Sequence, residues 1–177
     1  MSTMNGDNRI ALVAGVGRGT GGAIARRLAA GGYRVALLAR SESRMKEFED
    51  ELPGSLALPC DITDPQALDE TMARCRAELG EPEIVVHNAA RGVWGSFLDI
   101  DPAEVEANFQ VNTMSLLHLG RAVAPAMVAA GRGAIIVTGN TSAWRGKPDF
   151  SGFAPTKAAQ RILAEAMARE LGPQGVH

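Results

Sequence analysis

Short apolar runs alternate along this chain with longer stretches in which apolar residues recur every three or four positions. Five runs read as strands: Ile10 to Ala14, Arg34 to Ala39, Ser55 to Pro59, Glu83 to His87 and Gly133 to Thr138. The first, IALVA, has no polar member, the pattern of a strand covered on both faces. The periodic stretches between the runs read as helices. Ala23, Ile24 and Leu28 mark the first, and Ser41 to Leu52 is a solvated second. Asp64 and Pro65 open the third as N-cap and first helical residue. Its stripe of Leu68, Met72, Cys75 and Leu79 places Cys75 in the core. Asp101-Pro102-Ala103-Glu104 has the form of a capping box and starts a long helix to about Ala130. Its buried stripe is predicted as Val105, Phe109, Asn112, Leu116, Leu119, Val123 and Met127. The last helix is predicted over Ser151 to Leu171, with Pro155 tolerated in its first turn. Strands separated by helical crossovers run parallel, so the pattern predicts an open, doubly wound α/β sheet with helices on both faces.

The junction of the first strand and first helix holds Gly15, Gly17, Gly19, Gly21 and Gly22. Two registers fit: Gly17-Arg18-Gly19-Thr20-Gly21-Gly22 as G-x-G-x-x-G, and Gly15, Gly19 and Gly21 as G-x-x-x-G-x-G. A strand, a glycine turn and a helix N-terminus bring backbone N–H groups up to a phosphate. Side chains there would hold the backbone away from it. The stretch is therefore read as a dinucleotide site.

At 177 residues with a net charge of −2, the chain reads as one domain with a sizeable core and no general electrostatic grip on nucleic acid. Aromatic residues make up 5% of it, too few for a stacking surface along a polynucleotide. Residues 1–8 read as a flexible tail and 9–177 as the domain. Met1 to Asn8 lacks the apolar core of a signal peptide, and no run approaches the length of a membrane span. Cys60 and Cys75 lack metal-ligand spacing and read as reduced thiols of a cytoplasmic chain, with no metal site.

Candidate chemistry gathers at the strand ends. An acidic residue after the second strand would favour a free ribose 2′-hydroxyl, but here Ala39 is followed by Arg40. With Arg18 from the glycine turn, Arg40 can hold a 2′-phosphate, or it simply begins a solvated helix. Asp61 either accepts a bond from an adenine amino group or only stabilises its turn. Asn88, followed by Ala89, Ala90, Arg91 and Gly92, either bridges neighbouring strands or supports a ligand. His87 reads as a strand-end residue rather than a catalyst. Trp94, Phe97 and Leu98 wall a substrate cleft, pack under their loop or meet another subunit. Asn112 is an amide in an apolar stripe, and left unpaired it would cost about 1–3 kcal/mol. It either bridges backbone groups where the helix is irregular or helps hold an active-site water.

Taken together, Gly15-x-x-x-Gly19-x-Gly21, the Asp61 turn, Asn88-Ala89-Ala90, Asn112 and Lys157 resemble the short-chain dehydrogenase/reductase family, in family order from Ile10 onward. The resemblance implies a Rossmann-type sheet in strand order 3-2-1-4-5 and a nicotinamide cofactor. Arg18 and Arg40 match the family's NADP pattern, so NADP(H) is expected over NAD(H). Cofactor contacts are implied at Gly15, Arg18, Gly19, Thr20, Gly21, Arg40, Asp61, Ile62, Asn88, Ala89 and Lys157. The implied reaction is hydride transfer to or from a small carbonyl or alcohol substrate. In the family a tyrosine is the proton donor, with lysine four residues later to lower its pKa, a serine to polarise the carbonyl and a helix asparagine to hold a relay water. The catalytic positions here fall on Phe153, Lys157, Asn140 and Asn112. Phe153 has no ionisable proton. Asn140 keeps an N–H for a carbonyl oxygen. Thr141 or Ser142 could take the serine's place if the loop is shifted by one or two residues, and the proton would come from water, from a hydroxyl such as Ser142, Thr141 or Ser151, or from the substrate. An alternative is a nucleotide-binding sensor or partner subunit without turnover. The resemblance also implies a homodimer or homotetramer through helices 102–130 and 152–171. The family continues with another strand, a substrate-covering segment and a final strand, so the chain is expected to leave its fifth strand's edge open and its substrate pocket incomplete.

Overall fold

The computed structural model describes residues 9–177, and the expected tail, Met1 to Asn8, lies outside the described residues. Five parallel strands, β1 (Ile10–Ala14), β2 (Arg34–Ala39), β3 (Leu56–Pro59), β4 (Ile84–His87) and β5 (Ala134–Val137), form one sheet in the order β3-β2-β1-β4-β5. β1 is central and all five of its residues are buried, as its unbroken apolar run requires. Successive side chains take opposite faces. Ile10, Leu12 and Ala14 pack with Leu68, Met72 and Cys75 of α3 (Pro65–Glu78) and with Leu119, Val123 and Met127 of α5 (Ser115–Ala130). Val13 packs with Ala25 of α1 (Thr20–Ala30) and with Met45 and Phe48 of α2 (Glu42–Glu51). Ala14 pairs with Leu38 on one side and His87 on the other, so three strand ends stand level where the chain order reverses. In an open α/β sheet that is the place for a ligand.

Local signals hold. The Asp64 carboxylate accepts N–H bonds from Gln66 and Ala67 at 2.9 and 3.2 Å, and that of Asp101 accepts one from Ala103 at 2.9 Å.

The long helix departs from expectation. It runs as α4 (Pro102–Phe109), a π turn (Gln110–Met114) and α5, because the Ser115 N–H bonds Gln110 O, five residues back. The wide turn rotates everything upstream by one position. Asn108, not the predicted Phe109, is therefore buried, and Phe109 is 38% exposed. α6 (Ala154–Leu171) starts three residues later than predicted. The N–H groups of Phe153 and Ala154 both donate to Phe150 O, which makes 150–153 a turn. At the β5 edge, His177 N–H donates to Gly133 O and Ile135 N–H to His177 O, while Ile136 remains half exposed. Among the described residues, no helix is long and apolar enough to cross a membrane.

Candidate functional site

A cleft of about 1100 Å³ opens at the C-terminal ends of β1 to β4. Its wall includes Gly15, Gly17, Gly19, Thr20 and Gly21, then Arg40, Asp61 and Ile62, then Asn88, Ala89 and Arg91. The glycines divide into two groups. Gly15 has φ +91°, and a Cβ there would stand 2.4 Å from Ala89 N. A Cβ on Gly21 would stand 2.2 Å from Gly15 O, and one on Gly22 2.4 Å from Gly17 O. These three let α1 close onto the turn. Gly17 and Gly19 face the cleft, and a Cβ on either meets nothing within 4 Å. Gly19, the N-cap of α1, supplies no side-chain cap. Bare backbone, open space and a positive helix end fit a pyrophosphate.

Of the remaining cofactor candidates, Asn88, Asp61 and Arg40 line the cleft beside this turn, whereas Arg18 and Lys157 are not part of its wall. Asn88 Nδ2 donates to Gly15 O at 2.8 Å, tying the ends of β4 and β1 together. Burial opposes charge on Asp61, but bonds from the Thr63 hydroxyl (2.7 Å) and amide (3.0 Å), with nearby Arg40, hold its carboxyl below the usual range. Arg40 is exposed on the cleft wall. Arg18, with a side chain 82% exposed, lies 3.6 Å from Glu47 of α2.

The catalytic candidates lie on separate elements, and Asn112 ties one of them to the helix that bears Lys157. Asn112, fully buried in the π turn, accepts from Arg91 N–H (2.9 Å) and donates to Arg91 O and to Thr156 Oγ1 (both 2.8 Å). It thus bridges the loop after β4 to α6 at an irregular turn. Lys157, one residue beyond Thr156, is 2% exposed and donates from Nζ to Thr138 O at 2.9 Å. Burial pushes its ammonium down to about 8. Phe153 is buried at the head of α6, with its ring centroid 5.5 Å from that of Trp94. Trp94, Phe97 and Leu98 are exposed, not covered by their loop. Asn140 is exposed, and its Oδ1 caps the short turn Thr141–Ala143 by accepting Ser142 N–H at 2.9 Å. Ser142 Oγ is buried with no hydrogen-bond partner among the described residues.

Sequence reasoning missed Asn108. Its Nδ2 donates to Gly152 O (2.7 Å) and its Oδ1 accepts from the Arg91 guanidinium (2.9 Å), which also pairs with Glu104. The available signal was two asparagines four apart on one helix, facing the same way. His87, read as a bare strand end, is fully buried and bonded to Ser115 and Gln160, far away in sequence. Burial and then the Lys157 charge lower its pKa from 6.5 to about 4. The unfolded chain therefore binds more protons between these values. This contribution is complete above pH 6.5 and is lost as pH falls toward 4. We expect denaturant titration to show a loss on the order of 2 kcal/mol between about pH 7.5 and about pH 5, absent in His87→Asn.

Comparison with known proteins agrees with this arrangement. The family model for short chain dehydrogenases matches residues 9–177. D-erythrulose reductase of Gallus gallus is 34% identical over 169 residues, covering 95% of this chain and 67% of that protein. The 3-oxoacyl-(acyl-carrier-protein) reductase FabG of Escherichia coli K12 is 32% identical over 174 residues, covering 98% and 71%. A metagenomic short-chain oxidoreductase solved with NADP is 31% identical, with a TM-score of 0.91 over 96% of this chain and 79% of that one. With the strand order in agreement, the chain belongs to the short-chain dehydrogenase family of oxidoreductases.

Proposed function

We propose that this chain binds NADP(H) in the cleft and transfers hydride to or from the carbonyl or alcohol carbon of a small molecule, with an altered proton-donor position. The observation that carries the reading is the open glycine turn, where Gly17 and Gly19 leave the cleft wall bare in front of α1. The similar oxidoreductase solved with NADP supports the choice of cofactor. In this reading Gly15 to Gly21 hold the pyrophosphate, and Arg40 with Arg18 holds the 2′-phosphate. Asp61 and Ile62 border the adenine, Asn88 and Ala89 support the turn, and Lys157 holds the nicotinamide ribose. The bound nicotinamide supplies the hydride chemistry. The Asn140 amide keeps its N–H groups for the substrate oxygen, since only its Oδ1 is engaged by Ser142. Phe153 offers no proton, so the proton is exchanged with water or with a hydroxyl of Thr141, Ser142 or Ser151.

Titration with NADPH and NADH, followed by nicotinamide fluorescence, tests this. NADPH should bind more tightly, and Arg40→Ala should remove about 1–2 kcal/mol of that preference without weakening NADH. Equal binding would sink the NADP assignment, and binding of neither would sink the reading.

Phe153 also favours a second reading, dinucleotide binding without turnover. Exposed Phe109 and Ile162 support a homodimer or homotetramer through helices 102–130 and 152–171, checked by light scattering. The two free buried cysteines support a reducing, cytoplasmic setting.

A further inference from the structure

His87 is among the buried polar groups that the reaction outlined above leaves unused. His87 ends β4 with no solvent exposure and with both ring nitrogens engaged. Nε2 lies 2.7 Å from Ser115 Oγ, and Nδ1 lies 3.1 Å from Gln160 Nε2. The π turn decides which nitrogen carries the proton. Because Ser115 N–H bonds Gln110 O, the Val111 carbonyl loses its ordinary partner four residues on. The Ser115 hydroxyl replaces that partner, donating to Val111 O at 2.5 Å. A hydroxyl has one proton, so toward His87 it accepts, and Nε2 must carry the hydrogen. Nδ1 is then a bare lone pair, and the Gln160 amide donates to it. A charged imidazole would set two donors against each other there. The neutral Nε2–H form alone satisfies every group.

This small network touches both halves of the centre. Gln160 stands one turn beyond Lys157 on α6. The His87 carbonyl accepts Thr138 N–H at 3.0 Å, and the Thr138 carbonyl accepts Lys157 Nζ at 2.9 Å. At the other end, Val111 precedes Asn112, which clasps Arg91. We propose that His87, as the neutral Nε2–H imidazole with Gln160 as its partner, is a positioning residue that locks the π turn bearing Asn112 and the helix turn bearing Lys157 into one register. Its functional meaning rests on the cofactor role given to Lys157 above. Neither residue touches the reacting atoms. They act by fixing where the ammonium stands.

The test uses the full chain labelled with 15N-histidine and 13C-lysine. The wild-type ring spectrum should show His87 neutral with the proton on Nε2. Gln160→Met, close in size but with no donor, should move the Lys157 13Cε signal while Lys46 and Lys147 stay in place. It should also weaken NADPH binding about fivefold, the size of one lost neutral hydrogen bond. An Nδ1–H tautomer would overturn the proposal. So would a Gln160→Met chain that is less stable yet keeps the Lys157 signal and NADPH affinity of the wild type, since the pair would then be merely structural. If that variant does not fold, Gln160→Asn, with the amide on a shorter arm, is read in the same way. A wild type that binds no NADPH overturns the proposed function, whereas the tautomer and the lysine signal still decide the coupling.

Discussion

Phe153→Tyr is expected to raise carbonyl reduction by about 10²–10⁴-fold, the usual contribution of a positioned general acid. The substitution adds one hydroxyl to a ring whose place is already held. Phe153 stacks on Trp94, and its carbonyl accepts both the Lys157 N–H and the Thr156 hydroxyl. These bonds do not involve the ring edge, so the fold should tolerate the change. Lys157, with its ammonium at about 8, stays mostly protonated at neutral pH and would favour the phenolate. The measurement is kcat with NADPH over a panel of small ketones and aldehydes, beside thermal melts of both chains. A gain would mean that the centre is assembled and lacks only its acid. No gain, with NADPH bound by both chains, would favour binding without turnover.

Gly21→Val should cost at least about 1–3 kcal/mol of stability and abolish dinucleotide binding. A Cβ at this position would stand 2.2 Å from Gly15 O and 2.8 Å from Asn88 Nδ2. These are the two atoms of the bond that ties β1 to β4, and the first belongs to backbone that cannot turn aside. α1 must then move off the turn. Gly19→Ala is the contrasting case, since a Cβ there has open space. Its melting temperature should stay within a few degrees of wild type. Its NADPH affinity should nevertheless fall, because the added methyl stands where a phosphate would meet the backbone. Equal loss of stability in both variants would refute the division of the glycines into packing and ligand-facing groups.

Much of this was legible before any coordinates. Runs such as IALVA, the Asp64 and Asp101 caps and the stripe from Leu68 to Leu79 carry local physics that tertiary contacts rarely override. The glycine turn was readable for the same reason. The failures cluster at the centre. Phe109 was placed inside because a stripe was extrapolated at α-helical spacing through Asn112, where the helix widens. The Ser151 start of the last helix came from reading composition through a turn whose N–H groups bond Phe150 instead.

By itself the sequence determined the order of elements, the doubly wound parallel sheet and the bare glycine turn at the head of α1. Hydrophobic period, capping and glycine freedom act within a few residues and leave their mark in the text of the chain. Only the tertiary structure decided where Asn108, Asn112, His87 and Gln160 spend their hydrogen bonds. The bonds they make with Gly152, Arg91, Ser115, Thr156 and one another span 17 to 73 residues of chain. A buried polar group must be paired, but no local rule says with what. The same holds for Lys157, an ordinary cation in the sequence, which burial beneath the sheet edge and the Thr138 carbonyl set apart from the other lysines.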